Sequence, residues 1–144
     1  MRKKMLFCLI LLFALAMHMP ASAEDFDGSK ALLCSCTKVI QCLPDGTCVE
    51  VTPEEIYIPQ FMSIDFDQKT ISAPQWGEGQ TPSRIENLEH IDGKLMLQGA
   101  EDGVKDVHDG MGWTLSISEE TGKMVLTGSG EQMGIVVFGA CLPR

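Results

Sequence analysis

Apolar and polar residues alternate over short stretches along most of the chain. The clearest case is Trp113, Leu115 and Ile117, which alternate with Thr114 and with serines. Period-two patterns of this kind recur every ~8–12 residues between Gly, Asp and Pro, and they predict half-buried β-strands. No stretch of about ten residues keeps a helical period.

These patterns predict an antiparallel meander of about nine short strands. The predicted strands cover residues 36–42, 47–51, 61–66, 70–73, 84–91, 94–98, 113–118, 123–128 and 133–139. Residues 56–58 form a further short extended piece, and residues 100–111 read as an acidic loop. The predicted fold class is all-β, a small disulfide-stapled barrel or sandwich of about 8–10 strands.

The first hairpin has the sharpest local signal, QCLPDGTCVEV over residues 41–51. Pro44 and Asp45 suit the two central positions of a type I turn, and Gly46 suits the left-handed position after them. This three-residue loop places Cys42 opposite Cys48, close enough for a disulfide.

The first 23 residues read as an export signal rather than as part of the fold. Three basic residues follow Met1, an uncharged run spans residues 5–17, and Ala21-Ser22-Ala23 forms a small-residue cleavage site. This order is typical of a secretory signal peptide, and the apolar run is shorter than a membrane span. We therefore expect a single β domain over residues 24–144 in a periplasmic or secreted bacterial setting, with no membrane span after cleavage.

Five cysteines remain after cleavage, and an oxidising compartment favours pairing them. Besides Cys42–Cys48, we expect Cys141 to pair with Cys34 or with Cys36. Strand alternation does not choose between these two, since both lie on one face of a strand. The leftover cysteine is free, capped or paired with another molecule. A disulfide between the first and last strands fits if these strands are antiparallel neighbours, and in a pure meander this requires an even number of strands. The nine predicted strands are an odd number. Either residues 70–73 are therefore loop, or residues 56–58 are a tenth strand.

Charge and composition exclude several functions. Cleavage leaves 8 basic against 20 acidic residues, a formal charge of −12, which disfavours a nucleic-acid partner. The cysteine spacing does not match a zinc site, and we expect neither a metal nor a cofactor. The loop 101–110 carries four carboxylates and His108, but it has no nucleophile nearby, and Asp106 with His108 reads as part of a solvated connection. Trp76, in a Gly/Pro-rich loop, is a candidate partner contact.

A resemblance is carried by the closing stretch, GWTLSISEETGKMVLTGSGEQMGIVVFGACLP, together with the cysteine spacing. It resembles the C-terminal part of small exported proteobacterial proteins of unknown function. The resemblance implies an all-β domain with an N-terminal cysteine group and implies no activity. At the level of fold alone, the pattern is similar to lipocalin-like small barrels.

The expected function is an exported, non-catalytic binding module that holds a partner protein or a small apolar ligand. The alternative is an envelope-associated structural or accessory protein, and a hydrolase is the residual reading. The expected state is a monomer, or a dimer through the unpaired cysteine.

Overall fold

The structure, a computed structural model, describes residues 25–73, 81–103 and 109–144. Ten strands occur in these ranges, together with one short 3₁₀ helix, Glu54–Ile56. The strands are β1 (Leu32–Cys42), β2 (Cys48–Val51), β3 (Phe61–Asp65), β4 (Thr70–Ser72), β5 (Ser83–Arg84), β6 (Asn87–Ile91), β7 (Lys94–Glu101), β8 (Met111–Ser118), β9 (Lys123–Ser129) and β10 (Gly134–Pro143).

All strands belong to one antiparallel sheet that curls into a half-barrel. Its order is β5-β4-β3-β1-β10-β9-β8-β7-β6, with β2 also paired to β1. The predicted all-β antiparallel class is confirmed, and the first and last long strands are neighbours as expected.

The sheet branches at β1, and this branch corrects the even-count argument. One edge of β1 pairs with β2 through Val39–Cys42 and with β3 through Leu32–Ser35. The successive strands β2 and β3 therefore pair with the same edge of β1, and the sheet is not a pure meander. The pairing of β10 with the other edge of β1 then no longer depends on an even number of strands. Residues 70–73 are a strand over Thr70–Ser72, and residues 56–58 are not a tenth strand.

The predicted strand 84–91 is split in two, and the split bends the sheet towards closure. The Ile85 N–H donates to Lys69 O on the β4 side, at 2.9 Å. The Glu86 N–H donates to Gln98 O of β7, at 2.8 Å. Two consecutive amides thus bond to opposite ends of the sheet, and the short connection from β5 to β6 holds these ends near each other.

The predicted extended piece at 56–58 is wrong, because residues 53–57 form a 3₁₀ turn instead. The N–H groups of Ile56 and Ile58 both donate to Pro53 O. Pro53 presets the αR backbone that begins the turn, and Tyr57 ends it in the left-handed region, at φ 56°.

A β-bulge at Thr37 lets β1 keep a continuous buried face. The register with β10 shifts between Cys36 and Lys38, and the Thr37 hydroxyl donates to Phe138 O at 3.0 Å. Before the bulge Cys36 points inward, and after it Val39 does. If β1 kept strict alternation through this segment without a bulge, Lys38 would point into the core, at the cost of an unpaired buried charge.

One end of the half-barrel is closed by the segment that precedes β1. Phe26 packs against the core, and its ring lies so close to Gly122 that a side chain there would overlap it. Gly28 lies beside Leu95 and Phe66. Because these neighbours lie at the β8–β9 turn, the start of β7 and the end of β3, Phe26 covers the end opposite Glu101 and Met111. We call the Phe26 end the closed end and the Glu101–Met111 end the open end.

Candidate functional site: an apolar cavity at the open end

A cavity of about 290 Å³ lies inside the open end of the half-barrel. Strands β3, β4, β8, β9 and β10 and the 3₁₀ turn all contribute to its wall. Its apolar lining consists of Ile56, Tyr57, Ile58, Pro59, Met62, Ile71, Ala73, Pro82, Met111, Trp113, Leu126, Met133 and Ile135. Ser72, Thr81, Ser83 and Glu101 supply the polar groups. A largely apolar wall with a few polar groups is the usual make-up of a small-molecule site.

The Trp113 ring is fixed by a glycine beneath it and a hydroxyl at its edge. On β7, a Cβ at Gly99 would overlap both the Trp113 ring and Arg84 O, so only glycine leaves room for the ring. The indole N–H donates to Ser83 Oγ at 3.0 Å. Trp113 is partly buried, because its ring packs against the core and also faces the cavity.

The side chain of Met111, on β8, packs against a glycine of the neighbouring strand β9 in the same way. A Cβ at Gly128 would lie 2.7 Å from Met111 Sδ and 2.8 Å from Ile135 Cγ1. The side chain of Met111 therefore occupies the space that a larger residue would fill. Glycine within a strand is often found where another group approaches the backbone closely. In this structure both Gly99 in β7 and Gly128 in β9 are such positions.

The unpaired Cys36 holds one wall of the cavity in place. Its thiol donates to Pro59 O at 3.3 Å, its N–H donates to Gln60 O at 2.9 Å, and the Gln60 side-chain amide donates to Cys36 O. Burial raises the pKa of the Cys36 thiol to about 11. The side chain is 3% exposed, so the thiol is shielded from other molecules, and a dimer through it would require local opening.

The rim of the open end is acidic. Glu101 is the charged side chain among the described lining residues. Glu54 and Glu55 belong to the 3₁₀ turn, Asp102 follows Glu101, and Glu131 lies in the β9–β10 turn.

The described basic residues other than Arg84 lie away from this rim. Lys38 on β1 pairs with Glu50 on β2, at 2.9 Å. Five more sit at the strand ends and turns of the closed end or lead towards them: Lys30, Lys69, Lys94, Lys123 and Arg144. Arg84 follows the lining residue Ser83 on β5, where its carbonyl lies beside Gly99 and its side chain is exposed. A rim with one sign of charge concentrates oppositely charged solutes at the opening.

Two cysteine pairs lie at disulfide distance. Cys34 and Cys141 face each other in the β1–β10 ladder with Cα atoms 3.9 Å apart, whereas Cys36 faces Gly139. Register therefore decides between Cys34 and Cys36, which strand alternation could not do. Cys42 and Cys48 face each other as the hairpin predicts, with Cα atoms 4.1 Å apart.

The hairpin loop also has the predicted conformation. Gly46 is left-handed, at φ 87°, and the Thr47 N–H donates to Asp45 Oδ1 at 2.9 Å. This bond holds the pKa of the Asp45 carboxyl below its ordinary value. The loop therefore needs both a short acidic side chain and a glycine.

Several residues singled out in the sequence lie outside the described ranges: the predicted leader 1–23 with its predicted cleavage site, Trp76, and Asp106 and His108 of the acidic loop. Glu101, at the start of that loop, lines the cavity, and Asp102 follows it. His90 pairs with Glu119 at 2.5 Å near the closed end. Within the described ranges, no three His, Cys, Asp or Glu side chains form a metal-binding group.

Three findings bear on location and relatives. The disulfides indicate a compartment outside the reducing cytoplasm. No α-helix with the length and hydrophobicity of a membrane span occurs in the part of the chain that the structure describes. No protein family, curated protein or solved structure matches this chain.

Proposed function

We propose that this protein is an exported, non-catalytic module that binds a small apolar ligand inside the half-barrel. The cavity of about 290 Å³ carries this proposal. An apolar cavity of ~150 Å³ is enough to bind benzene, and drug-sized ligands occupy ~300–1,000 Å³. The ligand is therefore small, on the order of one or two rings.

The shape of the fold supports a binding role. Phe26 packs against the core at one end of the half-barrel, and the cavity lies at the other end. Tyr57 stands at this opening with its side chain 88% exposed and its backbone at φ 56°. A non-glycine residue in this region is strained, and such strain is concentrated at functional sites.

The fixed side chains also support it. Trp113 and Met111 are both seated over strand glycines, and Trp113 is further held by Ser83. A pocket whose walls are held in the absence of ligand loses less entropy on binding.

The test is binding of 4-phenylbutan-1-ol, a neutral molecule of suitable size, followed by Trp113 fluorescence. Trp76→Phe leaves Trp113 as the one tryptophan of the two in the sequence. Quenching that saturates with the alcohol is expected. Ala73→Phe fills part of the cavity and should weaken binding at least about tenfold, by removing space for the ring.

Ala140→Phe is the matched control, because Ala140 is exposed on β10 and lies towards the closed end. It should leave alcohol binding unchanged. Absence of saturable binding, or equal binding by both phenylalanine variants, would overturn the proposed pocket. Export is tested separately by the intact mass of the protein recovered from the cell envelope or medium, which should begin at Glu24. Recovery with residues 1–23 attached would contradict the signal peptide.

A further inference from the structure

We infer that the ligand is a small arylalkylamine, bound as its ammonium cation, with its ring inside the cavity and its charge at Glu101. This inference rests on the proposed function and names the chemical class of the ligand.

The wall of the cavity selects an aromatic ring. Met62, Met111 and Met133 are widely spaced in sequence, yet all three line the cavity with Trp113. Thioether sulfurs make favourable contacts with aromatic rings, and methionine adapts its shape to them. An indole edge or face adds a further aromatic contact. A ring is therefore better matched to this wall than a flexible alkyl chain.

The position of Glu101 on β7 sets the distance between its carboxylate and the Trp113 ring. Glu101 lies directly opposite Met111 in the β7–β8 ladder. It also follows Gly99 by two residues, so the two positions share a face of β7. Two residues along a strand span about 7 Å. Because the Trp113 ring lies over Gly99, the carboxylate and the indole are neighbours at a separation that a short linker between ring and amine can bridge.

The acidic side chains around the opening determine the charge that the ligand should carry. Glu101 is the charged lining residue among those described, and Glu54, Glu55, Asp102 and Glu131 extend the same sign around the rim. The segment 104–108, outside the described residues, contains one Lys and one Asp, so its formal charges cancel. A carboxylate ligand would lose water and meet like charge here, whereas an ammonium group would meet opposite charge. The site should therefore reject fatty acids and aromatic acids.

The test compares three molecules that share one phenylbutyl body: 4-phenylbutylamine, 4-phenylbutan-1-ol and 4-phenylbutyrate. At pH 7 the amine is a cation, because an alkylammonium group has a pKa near that of lysine, about 10.4. Affinities are measured by calorimetry at low ionic strength. We expect the amine to bind about fivefold more tightly than the alcohol, and the acid at least about fivefold more weakly. Raising the salt concentration should reduce both differences.

Glu101→Gln tests the assigned partner. It should abolish most of the preference for the amine, measured as the ratio of amine affinity to alcohol affinity within the same variant. Glu120→Gln is the matched control, because it removes the same charge from the exposed β8–β9 turn at the closed end. That variant should keep the preference.

The outcomes separate this inference from the proposed function. If the alcohol binds but the amine has no advantage, or the acid binds equally well, the amine assignment is overturned and the pocket stands. If Glu120→Gln and Glu101→Gln have equal effects, Glu101 is not the partner and the assignment also fails. If none of the three molecules binds, both proposals fail.

Discussion

The indole N–H of Trp113 donates to Oγ of Ser83 at 3.0 Å and thereby joins β8 to β5, two strands that are not neighbours in the sheet. The bond crosses the inside of the half-barrel beside the cavity. It fixes the ring that forms part of the cavity wall, and it holds the short strand β5 near the opposite side of the sheet.

Ser83→Ala should therefore destabilise the fold by about 1 kcal/mol, because it leaves the partly buried indole N–H without its partner. In the Trp76→Phe background, the emission maximum of Trp113 should also shift. Ser116→Ala is the control, since Ser116 lies on the outer face of β8. Equal losses in the two variants, with no spectral change, would contradict the role of this hydrogen bond.

Gly99→Ala should cost about 1–3 kcal/mol, because the added methyl group would overlap Arg84 O and the Trp113 ring. Gly112→Ala provides the comparison within the same sheet, where the nearest atom to the added methyl group is Ser129 Oγ at 3.9 Å. This second change should be neutral or stabilising by up to about 1 kcal/mol. Chemical denaturation measures both. The reverse order would refute the close approach at Gly99.

The two disulfides should contribute unequally. Cys34 and Cys141 are 107 residues apart in sequence, whereas Cys42 and Cys48 are 6 apart. In the chain-entropy account, closing the long loop stabilises by about 5 kcal/mol and closing the short one by about 2 kcal/mol. Replacing Cys34 and Cys141 together by Ala should thus lower the free energy of unfolding by about 2–3 kcal/mol more than replacing Cys42 and Cys48. Non-reducing peptide maps must first show these pairs. A Cys36–Cys141 link would contradict the register.

Stability should fall between about pH 9 and pH 11 because of Cys36. Its pKa is about 11 in the folded protein, above the ordinary value of 9.0, so the folded state holds the thiol proton more tightly. The resulting stabilisation is complete below about pH 9 and is lost as the pH rises through 11. Cys36→Ala and Cys36→Ser should both reduce the alkaline fall in stability relative to the parent protein. An unchanged pH profile in both variants would argue against a titrating Cys36.

The same burial predicts slow chemistry at Cys36. An exposed cysteine reacts rapidly with a disulfide reagent at pH 8, whereas this thiol should react only on unfolding. Rapid labelling of the folded protein would contradict its position beneath Pro59.

Local signals in the sequence predicted the elements that depend on neighbouring residues. The Pro44-Asp45-Gly46 loop and the alternation over 113–118 each depend on residues a few positions apart. The structure reproduces both, with Gly46 left-handed.

Features that depend on the curl of the sheet were not predictable. The bulge at Thr37 changes which side chains of β1 point inward, and the shared edge of β1 pairs it with both β2 and β3. Neither feature is marked by turn residues in the sequence. The cavity methionines are scattered in the sequence, and only the sheet brings them together. Gly99 gave no strand signal, because the predicted strand 94–98 ends just before it, and its partner Trp113 could not be named from the sequence alone.

The pairing of β1 with β10 has a consequence for how the protein comes into being. The first strand, β1, pairs along its whole length with the last strand, β10, from Leu32 opposite Pro143 to Cys42 opposite Gly134. A chain emerging from its N-terminus can form the β1–β2 hairpin early, but it cannot complete the sheet before its final residues appear. Contacts between distant parts of a chain also slow folding. Completion of this fold is therefore a late event that follows synthesis of nearly the whole chain.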